Sequence, residues 1–188
     1  MKIYFSASIH GLKQNQERYE KIARLVEKAG HRINTSHVLG LTHQEISNYD
    51  EEQHLEFYKK VMRGLKQSDA LFAELSYTST SAGFMIAQAM LMNKPVVIFY
   101  DGEEEPHLFR TQEKVNDRFM VVRYRRLDDL DKIVPSALQF VGDTQDIRFN
   151  FFVAAKHSNY LNWIAKNKKL PRSVYIRKLM DDHMQQAG

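Results

Sequence analysis

Two runs, residues 70–75 (A-L-F-A-E-L) and 95–100 (P-V-V-I-F-Y), are apolar almost without interruption. A strand with one face in water alternates apolar and polar residues, so continuous runs of this length belong at the centre of a parallel sheet covered on both faces. Pro95 stands first in its run, where the missing N–H removes nothing from the ladder. Shorter β-prone segments at 2–6, 32–35 and 119–124 alternate with helical periodicity at 15–29, 51–66, 81–92 and 127–140. That alternation predicts an α/β domain with helices on both faces of a parallel sheet. Residues 36–50, which hold Gly40 and Asn48, read as loop.

V-G-D-T-Q at 141–145 is a turn-rich break, and it divides the chain into a domain at 1–141 and a smaller one at 146–186. In the smaller part residues 147–153 alternate, 158–168 form an amphipathic helix carrying Tyr160, Leu161, Trp163 and Ile164, and Pro171 opens a second helix with Val174, Ile176, Leu179 and Met180. Roughly 40 residues rarely build a core alone, and a single strand needs a partner. The expectation is a homodimer, with higher assembly left open, in which two strands pair antiparallel under four helices. The net charge of +4 is concentrated there: from Asp143 on, eight Lys and Arg face four Asp, and the preceding part is balanced. Such a segment suits an anionic polymer, or is a solvated basic face.

The 188 residues include no cysteine, which excludes disulfides, thiolate nucleophiles and cysteine-bound zinc. No apolar run of about 18 residues is present, and the first eight are too short and polar for a signal peptide. A cytoplasmic protein with no membrane partner is expected. The eight histidines are scattered; His37 and His43 lack helical metal-ligand spacing and read as solvated loop residues. No G-x-S-x-G occurs, and neither metal nor cofactor is expected.

The stretch 69–88 reads as strand, polar loop and helix start, which places hydroxyls and free N–H groups at the C-terminal edge of the sheet. I-Y-F-S-A-S-I-H-G at 3–11 and S-D-A-L-F-A-E-L-S-x-x-S-x-x-A-G-F at 68–84 resemble the nucleoside 2-deoxyribosyltransferase family, above all its 2'-deoxynucleoside 5'-monophosphate N-hydrolase branch, over about the first 140 residues. The resemblance implies a Rossmann-like (flavodoxin-like) sheet. It also implies a 5'-phosphate held by Ser8, Ile9, His10, Gly11 and Ser79, with Tyr4 beside the sugar; Ser6, Ser81, Gly83 and Met85 complete the candidate ligand set. Departures are specific. His10-Gly11-Leu12 replaces Arg-Gly-Gly, the family's nucleophilic Glu counts to Met85, and its assisting Asp counts to Val61. A thioether cannot form a glycosyl ester, so no catalytic residue is assigned; Glu74 is the stand-in carboxylate to test.

The tail, 147–184, resembles the ribbon-helix-helix transcription factors, most specifically in L-P-R-S-V-Y-I-R-K-L-M at 170–180, with Pro171 where the family often has a Ser or Thr cap. The resemblance implies that Arg148, Asn150 and Phe152 read a major groove, that Arg172 and Ser173 meet a phosphate, and that Lys168 and Lys169 add attraction. Together the two parts predict a DNA-binding regulator, a repressor of a palindromic operator in double-stranded DNA, with a catalytically inactive nucleotide sensor. The alternative is an active nucleotide N-glycosidase or deoxyribosyltransferase whose tail serves dimerisation.

Overall fold

The computed structural model describes residues 1–102, 105–144, 152–168 and 171–187. The chain divides into two units, Met1–Asp146 and Ile147–Gly188.

In the first unit five parallel strands, β1 (Lys2–Ala7), β2 (Arg32–Asn34), β3 (Ala70–Glu74), β4 (Val96–Tyr100) and β5 (Phe119–Arg123), form one sheet in the order β2-β1-β3-β4-β5. All five residues of β3 and all five of β4 are buried, as their unbroken apolar runs require. The helices are α1 (Leu12–Lys28), α2 (His43–Ser47), α3 (Glu51–Lys66), α4 (Thr80–Leu91), α5 (His107–Glu113) and α6 (Leu130–Thr144). Each sheet face has its own core. Phe5, Phe72 and Phe99 pack with Tyr19, Ile22 and Val26 of α1 and Val134 and Leu138 of α6. On the other face Tyr4, Leu71, Ala73 and Ile98 pack with Leu65 of α3 and Met85, Ile86 and Ala89 of α4. Neighbours along β3 therefore point to opposite layers.

Two helices arise where none is expected. The five residues of α2 lie inside the presumed loop and are held by a capping box: Glu45 N–H donates to Thr42 Oγ1 at 3.2 Å, and Thr42 N–H donates to the Glu45 carboxylate at 2.6 Å. Helix α5 starts directly after Pro106. Helix α6 continues through Gly142 to Thr144, because burying Val141 outweighs the roughly 1 kcal/mol that one glycine costs a helix. Helix α3 has the expected bounds but buries only Leu65; Leu55 and Tyr58 of its apolar stripe are half exposed. Its C-terminal turn approaches β1 so closely that a Cβ on Gly64 would lie 2.7 Å from the Tyr4 ring, so that position must be glycine.

The second unit contains α7 (Ala155–Asn167) and α8 (Arg172–Ala187). Ile164 is buried, the Tyr160 and Trp163 rings stack at 6.1 Å, and the Tyr160 and Tyr175 hydroxyls meet at 3.0 Å. Of the strand expected at 147–153 only Phe152 and Val153 are described, and neither is in a strand. Arg148, Asn150 and Lys169 lie outside the described residues.

Candidate functional site

Strands β1 and β3 are neighbours at the point where the strand order reverses, and open parallel sheets bind ligands beyond the C-terminal ends of such a pair. Two loops leave this edge. In the β1–α1 loop the Gly11 N–H donates to Ser8 Oγ at 3.2 Å, Asn15 Nδ2 donates to the Gly11 carbonyl at 2.9 Å, and the Tyr19 hydroxyl donates to the Ser8 carbonyl at 3.3 Å. A Cβ on Gly11 would lie 2.8 Å from Tyr77, so this glycine lets the two loops touch. In the β3–α4 loop Ser79 caps α4, its Oγ accepting the Ala82 N–H at 3.2 Å.

Between the loops and α3 lies a cleft of about 620 Å³. Of the ten expected ligand residues, Ser6, Ile9, His10, Ser79, Ser81 and Met85 line it. The other four stand behind or beside it. Ser8 is buried as a turn acceptor, Gly11 begins α1, and Tyr4 lies beneath the cleft against His37; Gly83 lines a separate groove with Leu75, Thr78 and Phe109. Val61 lies in the wall, and Phe57, Tyr58 and Phe84 add an aromatic side.

Sequence spacing hides the most unusual part of the lining. His10, His37, His43 and His54, far apart in the chain, all reach this cleft, while among the described residues no Asp, Glu, Lys or Arg does. Reading His37 and His43 as solvated loop residues is thus corrected for His37: both of its ring nitrogens are sealed from solvent without a partner, and its ring stacks on Tyr4 at 4.8 Å. Only the fold, which brings the loops after β1 and β2, α2 and α3 together, reveals the group. Among the described residues no set of three His, Asp or Glu is placed to hold a metal ion.

Burial pushes the His37 imidazole down to about 4. Its folded value lies below its unfolded one, so the stability it contributes is present above pH 6.5 and is lost as pH falls through about 4. The expected loss over that window is roughly 3 kcal/mol. Urea unfolding at pH 7 and pH 4 should show a smaller drop for His37→Gln than for the parent; equal drops would refute the assignment.

Glu74 is no stand-in nucleophile. It follows Ala73 on β3 and therefore faces the opposite layer, where its Oε1 accepts the Tyr124 hydroxyl at 2.8 Å, the Ser76 N–H at 3.2 Å and the Ser76 hydroxyl. Burial raises its pKa, and its Oε2 has no partner. Beside it the Asp101 N–H donates to Ser76 Oγ at 2.9 Å and the Asp101 carboxylate pairs with Arg18. This network fastens β3 to β4 and to α1.

No protein-family model matches the chain. A protein of Thermofilum pendens named "Putative 2'-deoxynucleoside 5'-phosphate N-hydrolase 1" is 26% identical over 151 residues, which cover 73% of this chain and 98% of that one. A CMP N-glycosidase of Clostridium botulinum superposes with a TM-score of 0.53 at 16% identity, covering 72% of this chain and 99% of that one. The fold is nucleoside deoxyribosyltransferase-like. A 2-deoxyribosyltransferase of Bacillus psychrosaccharolyticus agrees, with a TM-score of 0.51 at 16% identity over 70% of this chain and 90% of that one. These likenesses overturn the expectation of a DNA-binding regulator: the proteins that this chain resembles are named as nucleotide hydrolases, glycosidases and transferases. The residues expected from the sequence to meet DNA are Arg148, Asn150, Phe152, Lys168, Lys169, Arg172 and Ser173. Of those described, Phe152 is fully exposed outside any strand, Lys168 ends α7, and Arg172 and Ser173 open α8. No helix among the described residues is long and apolar enough to cross a membrane.

Proposed function

We propose that the protein is a nucleotide N-glycosidase that binds a nucleoside 5'-monophosphate in the 620 Å³ cleft and releases its base. The observation that carries this reading is the cleft at the β1/β3 edge, whose lining joins the capped start of α4 and the hydroxyls of Ser6, Ser79 and Ser81 with the aromatic rings of Phe57, Tyr58 and Phe84. A phosphate fits the first and a base the second. With no carboxylate among the described lining residues, cleavage in this reading proceeds with no glycosyl ester. The bond from the anomeric carbon to the base nitrogen breaks first, water adds to the resulting oxocarbenium-like centre, and the water's proton leaves to a lining imidazole while the base acquires one. His37, neutral at pH 7, holds one donor and one acceptor toward the ligand. The test is incubation at stoichiometric protein with ribo- and deoxynucleoside 5'-monophosphates, assayed for free base by chromatography. Slow release from a monophosphate, absent from its parent nucleoside, is expected; tight binding with no base after prolonged incubation would refute the glycosidase reading.

The C-terminal unit, in this proposal, pairs two copies of the chain. The support is the number of exposed large apolar side chains on α8, Val174, Leu179, Met180 and Met184. Light scattering on Leu179→Glu/Met180→Glu is expected to give half the parent mass; an unchanged mass would place the interface elsewhere.

A further inference from the structure

We infer that His10 and His43 form a proton-linked grip for the 5'-phosphate, so that the protein takes up a proton as it binds a nucleoside monophosphate. The inference rests on the nucleotide reading above and adds what regulates it.

A guanidinium holds a phosphate at any physiological pH, because it never loses its charge. Among the described residues this cleft has no Arg or Lys in its lining; its basic side chains are four imidazoles, of which burial keeps His37 neutral. Histidine is the side chain whose charge ordinarily changes between pH 5 and 8. Two of the four are set against each other: His10, on the β1–α1 loop, and His43, in the first turn of α2, have ring centroids 3.7 Å apart with planes tilted by 40°. Rings so placed can meet one phosphate together. A phosphate dianion beside the pair favours the protonated imidazoles by direct attraction. No covalent bond changes; a proton from solvent is taken up with the ligand.

Two further features point to an anion with a polar body. The twelve-residue helix α4 starts at the same edge under its Ser79 cap, with first-turn N–H groups available to an acceptor. The buried, unpartnered nitrogens of His37 await polar atoms of a ligand deeper in the cleft.

The other titratable groups around the pair do not supply a permanent charge to the lining. Lys13 on α1 is exposed and outside the lining, as are Lys60 and Asp50 of α3, while His54 and Tyr58 of α3 are in it. Glu45 of α2 is committed to Thr42, and α4 has no charged residue.

The test is calorimetric binding of the four common 2'-deoxynucleoside 5'-monophosphates, their nucleosides and inorganic phosphate at pH 6.5 and 8.5, above the phosphate's own second ionisation near 6. Each is measured in two buffers of different ionisation enthalpy. Monophosphate affinity should be about ten-fold tighter at pH 6.5, with net uptake of about one proton, while nucleoside affinity stays constant. His10→Gln and His43→Gln, at exposed positions where folding is not at stake, should each flatten the dependence. Equal monophosphate affinity at both pH values, or an unchanged dependence in the double variant, would overturn the grip and leave the nucleotide reading standing. Absence of monophosphate binding at either pH would overturn both.

Discussion

Base release from a nucleoside 5'-monophosphate should rise on the order of 10³-fold when Met85 becomes Glu and Val61 becomes Asp together. Met85 lies on the first turns of α4 with only 3% of its surface exposed, and Val61 faces the same cleft from α3. A carboxylate at the first position can attack the anomeric carbon and replace the slow dissociative route by two easier steps; one at the second can position a hydroxyl. The gain is limited by burial, since an apolar wall raises a carboxyl pKa and a second carboxylate nearby raises it further. The rate should therefore climb with pH across the acidic range. Stability should fall by about 2–4 kcal/mol, the usual consequence of placing polar groups in a packed layer. Single-turnover chromatography and thermal melting measure the two effects. A double variant that binds monophosphate like the parent and releases base no faster would show that the cleft does not place the sugar over α4.

That experiment depends on residues whose place was readable in the chain. Counting along the motifs of the family that the chain resembles leads from Gly83 to Met85 and from Asp69 to Val61, and both line the cleft, Met85 from α4 and Val61 from α3. The central strands were equally legible, since a run such as V-V-I-F-Y has no polar residue to offer water. What resisted reading was whatever tertiary placement decides. The four cleft histidines come from four separate segments, the loops after β1 and β2 and the helices α2 and α3, and no local pattern links His10 to His43. Helix α2 was overlooked although Thr42 and Glu45 have capping-box spacing, because five residues with the single apolar Ile46 are too few to show a helical period. Glu74 is the intermediate case: alternation with Ala73 assigns it to the other face once the layer of Ala73 is known.

Replacing Glu74 with Ala should destabilise the protein by roughly 3 kcal/mol, and Glu74→Gln should restore nearly all of it. The alanine variant leaves the Tyr124 hydroxyl and both Ser76 donors without their acceptor in a fully buried place, and it opens a cavity between β3 and α1. Glutamine keeps an acceptor oxygen and resembles the neutral acid. The pH dependence separates the two effects. Burial raises the folded carboxyl pKa above its unfolded value, so the contribution of Glu74 is full below the unfolded value and declines as pH rises through the folded one. Chemical denaturation should thus show the parent losing stability relative to Glu74→Gln between acidic and neutral pH. A constant difference across that range would mean that the Glu74 carboxyl holds its proton no more tightly in the folded chain than in the unfolded one.

The capping box at the start of α2 has a consequence for the time scale on which the cleft rim moves. No residue of α2 is buried, so its hydrogen bonds are protected by little beyond their own five-residue cooperativity. Its amides should exchange with deuterium through local openings of low free energy, whereas those of β3, buried throughout, should exchange only with global unfolding. One ring of the closely set imidazole pair thus rides on a short helix with no buried residue, and the other on a loop pinned by Asn15 and Tyr19. A bound anion would then appear in exchange data as slowed deuteration of residues 43–47, with the sheet unaffected.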